Sequence, residues 1–527
     1  MPFLRHKSKA PNVKVNSQVS YMAKAGLNLK DLPELLNPSY AIKNENYFVK
    51  SNGGLHKRGG IIEMITRAIN KAPTMIKPWK GYFIFGYDKT IAAYNPLDGT
   101  ITDIKTDWNT DAKFDGAPYG DFFFTGNTGN KVNYITESSG VFTITEIPTA
   151  PMSGVLKVIG PRLYAGVGTE VLYCGIDDGT DPPFTVWTIS QSATDGGKAS
   201  FRNAGDINSI CSLGDIIIAF GDYGKWAFRI TTQNDGIGNV VKTEDVVIDR
   251  IDMGGASGAI TTPKGVFYVN SGGLWQLISL GQPNIPFSEQ EGLTTINLGT
   301  DYFNDVNLDN CDLVYYARYS SVLITCAKQA TSNNHVIVYN PDAKAFSIFT
   351  NWVINRWMSF ENEIYAVSSV KMAIYKCFAG NSDNGASIGT NYLQEIHTGN
   401  LWTRQMLYGA YIKGLLSQNS NITVAFDIYD RTGSLIENKL RFAWTNHGQN
   451  TDLNEWGSAE WGKGEWGGDI GSEGLIENFD GMHSFIRNFQ RIRVHITESS
   501  KLGHRIDWFS LDTRVKSNIR RRKLVKL

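Results

Sequence analysis

The chain has 527 residues, too many for one ordinary core, so roughly two or three domains are expected. Lys+Arg 51 balances Asp+Glu 51, which argues against the overall basic excess of a dedicated nucleic-acid binder. Gly 53, with 12% aromatic and 19% charged residues, favours short strands joined by tight turns over long charged helices, so an all-β protein is expected.

Residues 1–75 show little periodicity and read as an N-terminal arm plus a few strands that complete a later domain. The first 30 residues carry Arg5, Lys7, Lys9, Lys14, Lys24 and Lys30 without an acid. They read as a solvated end, the alternative being an arm that docks on an acidic partner or DNA.

From residue 76 to 390 a hairpin recurs: a turn, an apolar strand opening on an aromatic or aliphatic pair, a polar turn, then a second strand. Copies begin at Gly81-Tyr82-Phe83, Gly120-Asp121-Phe122, Pro161-Arg162-Leu163, Gly214-Asp215-Ile216, Gly265-Val266-Phe267, Ser321-Val322-Leu323 and Glu363-Ile364-Tyr365. They lie about 40 to 55 residues apart, the span of a four-stranded propeller blade. The near-copies Ile91-Ala92-Ala93-Tyr94-Asn95-Pro96 and Val336-Ile337-Val338-Tyr339-Asn340-Pro341 each read as a strand that stops at proline and reverses into a blade's outer strand. A blade cannot bury both faces alone, so a closed ring of roughly six to eight blades is expected. A β-sandwich or β-solenoid is the alternative.

Over 391–515 the repeat gives way to polar–apolar alternation, as in Ile422–Tyr429 and Arg491–Ile496, which predicts a β-sandwich-like platform domain completed by the N-terminal segment. Within it Glu-Trp-Gly occurs at Trp456, Trp461 and Trp466, a glycine-punctuated loop that either folds back on its own domain or meets a neighbouring subunit. Residues 516–527 form a basic tail with Arg520, Arg521, Arg522 and Lys523.

Chemistry-bearing motifs are scarce. No metalloprotease, hydrolase or nucleotide-loop signature occurs, so no catalytic residue, cofactor or metal is expected. The Asp177-Asp178-Gly179-Thr180-Asp181 turn lacks the distal Glu of a calcium loop, and Ser192–Gly197 resembles an Asp-box turn only faintly. Cys174, Cys211, Cys311, Cys326 and Cys377 have no ligand spacing and read as buried thiols of a reducing cytosol. No apolar export signal opens the chain, and no stretch approaches the ~20 apolar residues of a membrane span, so a soluble product is expected.

The run Gly26-Leu27-Asn28-Leu29-Lys30-Asp31, Asn37-Pro38-Ser39-Tyr40-Ala41, Asn46-Tyr47-Phe48-Val49 and Gly54-Leu55-His56-Lys57-Arg58-Gly59-Gly60 resembles the opening of podovirus tail nozzle proteins, also called tail tubular or packaged-DNA stabilisation proteins. Gly59 stands where that group has proline, which implies a looser turn. The resemblance implies a non-enzymatic virion protein of the tail, assembled in the bacterial cytoplasm. Its partners would be further copies of itself in a hexameric ring, a portal-bound adaptor, tail fibres or other tail proteins, and DNA passing without sequence specificity. Gly54, Leu55, Lys57, Arg58 and Gly59 would form an assembly motif, with Arg58 placed for a carboxylate within or between subunits. The competing reading is a carbohydrate-binding or carbohydrate-processing propeller, a receptor-binding protein or glycosidase.

Overall fold

The computed structural model describes residues 17–20 and 25–516, except 33–35, 38, 52, 109–112, 178, 180–181, 202–204, 236–239, 252–254, 271–272, 280–286, 291–297, 299–301, 303–304, 398–403, 418–420, 430–434, 446–472, 477–485, 490 and 500–502. The protein is all-β, and its larger part is a seven-bladed propeller. Five blades stand alone as four-stranded antiparallel sheets, and two more lie inside a nine-stranded and a six-stranded sheet.

Each blade is a meander running from the axis outward, and all seven recurrent hairpins are its second strands: Tyr82–Tyr87, Phe122–Asn127, Arg162–Val167, Ile216–Gly221, Gly265–Asn270, Ser321–Lys328 and Glu363–Ser368. A second strand is covered by the neighbouring blades on both faces, so it reads as an unbroken apolar run. Ile216–Gly221 and Gly265–Asn270 are buried at every position, whereas the outermost strand Val141–Glu146 is mostly exposed. The connecting turns are of the kind that matches strand twist: Lys80 and Gly81 both have positive φ, at 48° and 82°, as do Glu361 and Asn362. Strands Thr90–Tyr94 and His335–Asn340, the two that precede Asn-Pro, are third strands that turn into the outer ones, as their sequence predicts.

Ring closure is visible in both contacts and cores. The innermost strands touch in chain order, Met75–Trp79, Phe114–Tyr119, Leu156–Ile159, Ile207–Leu213, Gly255–Thr262, Val306–Tyr316 and Ile354–Phe360, and the last touches the first. A separate apolar cluster fills every gap between neighbouring blades. The cluster joining the seventh blade to the first combines Met358, Tyr365, Val367 and Ile374 with Ile76, Phe83 and Phe85.

The seventh blade has three strands of its own, and its fourth is Ile61–Thr66, which pairs antiparallel with Ala373–Cys377. This corrects the expected boundary at residue 76: the N-terminal segment completes the propeller as well as the platform, because a ring closes most firmly when its last sheet takes an edge strand from the other end of the chain.

The C-terminal domain has two sheets. One continues the sixth blade: Lys43–Glu45 lies beside the blade's outer strand Ala345–Thr350, followed by Thr390–His397, Arg491–Glu498, Asn421–Tyr429 and Leu435–Thr445. In it Ile422, Val424, Phe426 and Ile428, with Ile492, Val494 and Ile496, point to one buried face, as strict alternation predicts. The other sheet joins Tyr47–Val49 and Leu55–Lys57 to His504–Lys516 and Arg404–Ser417.

Candidate functional site

The described residues of 26–60 run along the seam between propeller and platform. Leu27 is buried in the apolar cluster between blades five and six, and Phe48 in that between blades six and seven. Asn46 is the corner between the two platform sheets, separating Lys43–Glu45 from Tyr47–Val49 at φ 63°. Asparagine tolerates that backbone because its amide bonds locally, and here every polar atom is used. Its backbone N–H donates to Ile348 O at 2.8 Å, its Nδ2 to Thr350 Oγ1 at 3.0 Å and Gly389 O at 2.6 Å, and its Oδ1 accepts from Thr350 N at 3.1 Å.

Arg58 occupies the centre of the seam with its side chain 1% exposed. All five guanidinium N–H groups find acceptors: Nε donates to Asn46 Oδ1 at 2.8 Å, Nη1 to Asp383 Oδ1 at 2.8 Å and Gly59 O at 3.1 Å, and Nη2 to Asp383 Oδ2 at 2.7 Å and Thr350 O at 3.2 Å. The fork on Asp383 is the bidentate geometry that arginine alone supplies, and the guanidinium lies 4.5 Å from the Trp352 ring centre. Arg58 therefore ties the platform corner to the end of blade six and to the extension of blade seven. The carboxylate foreseen for it lies within the subunit.

Lys57 points the other way, into the platform. Its Nζ lies 2.5 Å from Glu498 Oε2, and both side chains are sealed from solvent. Burial lowers the lysine pKa, opposed by the glutamate. His504 faces the same carboxylate at 3.6 Å, beyond hydrogen-bond length, while its Nε2 is 2.8 Å from the Tyr47 hydroxyl. Burial, then Lys57 and His56, hold the imidazole well below its ordinary pKa, so the neutral ring pairs with tyrosine and Lys57 is the carboxylate's cation. Gly54 and Leu55 are also buried. A Cβ on Gly59 would sit 2.7 Å from the Phe378 backbone, and one on Gly60 only 1.9 Å from Ser382 O. The motif is thus an internal joint, not an exposed assembly surface.

Sequence-based comparison finds no matching family model and no matching curated protein. Solved structures give a fold-level likeness only: a computationally designed protein (8% identity, 60% of this chain and 99% of the other, TM-score 0.38), the mitotic checkpoint complex (8%, 61% and 95%, 0.39) and an extracellular domain from B. thetaiotaomicron (12%, 69% and 46%, 0.40). Such values carry no functional argument, and the propeller rests on strand order and ring closure.

The remaining sequence candidates fall elsewhere. Asp177 accepts the Tyr119 hydroxyl at 2.9 Å and the Gly179 N–H at 3.0 Å, a structural turn. The Ser192–Gly197 turn is threaded by a cation from its own chain: Lys242 Nζ lies 2.6, 2.8, 3.0 and 2.7 Å from the carbonyls of Ser190, Ser192, Asp195 and Gly196. All five cysteines are buried, and none forms a disulfide among the described residues. Among the described residues no cluster of His, Cys, Asp or Glu is arranged for a metal, and no helix is long and apolar enough to cross a membrane. Trp456, Trp461 and Trp466, and the tail residues Arg520, Arg521, Arg522 and Lys523, lie outside the described residues. A polar cleft of ≈ 440 Å³ opens on the platform beside the seam, lined by Glu45, Asn391, Thr423 and Thr497. Sequence reading did not single out Asp383, Glu498 or His504, since each is an isolated polar residue whose partner lies hundreds of positions away.

Proposed function

We propose that the protein is a non-enzymatic structural subunit of a short-tailed bacteriophage tail, forming a hexameric nozzle ring below the portal-bound adaptor that holds packaged DNA and conducts it at ejection. The observation that carries the reading is where the nozzle-like segment lies: the described residues of 26–60 form the joint between the propeller and the β-platform, through Asn46, Lys57 and Arg58. A rigid joint suits a subunit that must hold its propeller at a set angle around a channel. Balanced charge suits a conduit, because each phosphate neutralised adds to a grip that has to be released again. Tail fibres and other tail proteins would be further partners, and the virion tail the location. Negative-stain imaging of the full-length protein, alone and mixed with portal–adaptor complexes, tests this: sixfold rings are expected, and a monomer under both conditions overturns it.

A further inference from the structure

Ring closure gathers a second set of charges that the seam does not use. The innermost strands begin at one end of the propeller axis. There they bring together Lys77, Lys113 and Arg356 from blades one, two and seven, with Asp115 and Asp312 from blades two and six, and Lys157 of blade three acts with Lys77 on the Cys211 thiol of blade four.

The two carboxylates are already engaged. Asp115 accepts from Gly116 N at 2.8 Å and Leu156 N at 2.9 Å, with Lys77 Nζ 3.6 Å away. Asp312 accepts from Trp357 N at 2.8 Å, and burial raises its pKa against the pull of Arg356, Lys77 and Lys113. The cations are less well served. Arg356 Nη1 donates to Asn310 O and Asn355 O at 2.9 and 2.8 Å, leaving the Nε–Nη2 edge without an acceptor among the described residues. That edge is the half of a guanidinium that takes two oxygens of one oxyanion. Lys113 and Lys157 have no carboxylate within ion-pair distance among the described residues, and Lys157 is exposed. Burial, then Arg356, push the Lys113 ammonium down to about 8, with Asp115, Asp312 and the Cys311 thiol opposing. Four cations against two carboxylates leave a surplus of two positive charges on the innermost strands.

We infer that this axial mouth is a binding site for a dianionic tetrahedral oxyanion of the phosphate class, held by the free edge of Arg356 and the ammonium groups of Lys77, Lys113 and Lys157. The inference is independent of the nozzle reading, since it concerns the axis of a single propeller and no neighbouring subunit. Bound phosphate stabilises the charged form of Lys113, so binding near pH 8 takes up protons.

Titration calorimetry on the full chain in chloride buffer at low ionic strength, with inorganic phosphate as the probe, should show saturable binding to one site. Repeating it at pH 8 in buffers of different ionisation enthalpy should reveal proton uptake. Arg356→Gln and Lys113→Gln should each weaken binding by about tenfold or more. Lys157→Gln is the control against misfolding, because an exposed side chain can be removed with the fold intact, and it should weaken binding several-fold at unchanged melting temperature. A 5′-phosphorylated oligodeoxythymidylate separates free phosphate from a terminal phosphate monoester, and competition between the two supports one shared site. Absence of saturable phosphate binding, full affinity in all three variants, or binding of unphosphorylated oligonucleotide without inorganic phosphate would each overturn the inference.

Discussion

Arg58 shows how far one side chain can decide the relation between two bodies. Its five donors are spread over four residues from three structural units, and none is left to solvent. Removing it takes from Asp383 its only ion-pair partner among the described residues and one donor each from the Asn46 and Thr350 oxygens, and breaking a buried pair in this way costs about 3–5 kcal/mol. Arg58→Ala is therefore expected to lower the denaturation midpoint strongly, and Arg58→Lys to recover little because an ammonium cannot reproduce the fork. Urea melts of Arg58→Ala, Asp383→Ala and the double variant check this: the double should be no worse than the worse single, and additive losses would show that the two side chains act separately. Three histidines give a second expectation at this scale. His56, His335 and His504 each pair with a tyrosine hydroxyl, Tyr319, Tyr302 and Tyr47, at 2.6, 2.7 and 2.8 Å. Burial, with nearby cations, lowers all three pKa values, to about 4 for His56 and His335. A depressed folded pKa means that the unfolded chain binds protons first. The stability from the neutral rings is therefore complete above about pH 6.5 and is lost as pH falls toward 4, by up to about 1.4 kcal/mol per pH unit for each ring. Melting temperatures measured from pH 7.5 to 4.5 should fall over that window, and His335→Gln should flatten the slope.

At the scale of elements, two segments hold what the repeat alone would leave open. The strand Ile61–Thr66 turns an open stack of blades into a ring, and it is aimed by Gly60, whose backbone lies so close to Ser382 that no Cβ fits. Gly60→Ala is expected to destabilise by about 1–3 kcal/mol through this overlap, and amide exchange should quicken in both Ile61–Thr66 and Ala373–Cys377. Faster exchange confined to other blades, with these two strands unchanged, would argue against coupling through this edge. The loop between Glu170–Tyr173 and Gly197–Ser200 is held differently, by Lys242 and by Arg162, whose guanidinium donates to the carbonyls of Cys174, Ala193 and Asp195. Four carbonyls face three ammonium protons on Lys242, so the side chain does the work of a bound cation. Lys242→Met strips this shared donor from all four carbonyls and should cost about 1–3 kcal/mol, seen as faster exchange over residues 187–196 with blade four otherwise unchanged.

Taken as a whole molecule, the chain declared its repeating unit and withheld its closure. The seven apolar runs were legible because a blade's second strand is buried on both faces, which forces continuous hydrophobicity at a regular spacing. The platform strands were legible because one buried face forces alternation, as in Arg491–Glu498. Composition likewise determined the all-β class, and the scattered cysteines were correctly read as buried thiols. Pairing was not legible. Ile61–Thr66 reads as a strand in any context, and nothing local says that its neighbour is Ala373–Cys377. Lys57 and Arg58 stand out in sequence, but Glu498 and Asp383 lie 441 and 325 positions away, and the axial cations come from blades that meet only when the ring is shut. Local patterns record which faces of a segment must leave water, a demand each residue makes by itself. The identity of the partner, and hence whether a charge ends at a surface, in a buried pair or around an axis, is set by long-range contacts that exist only in the closed fold.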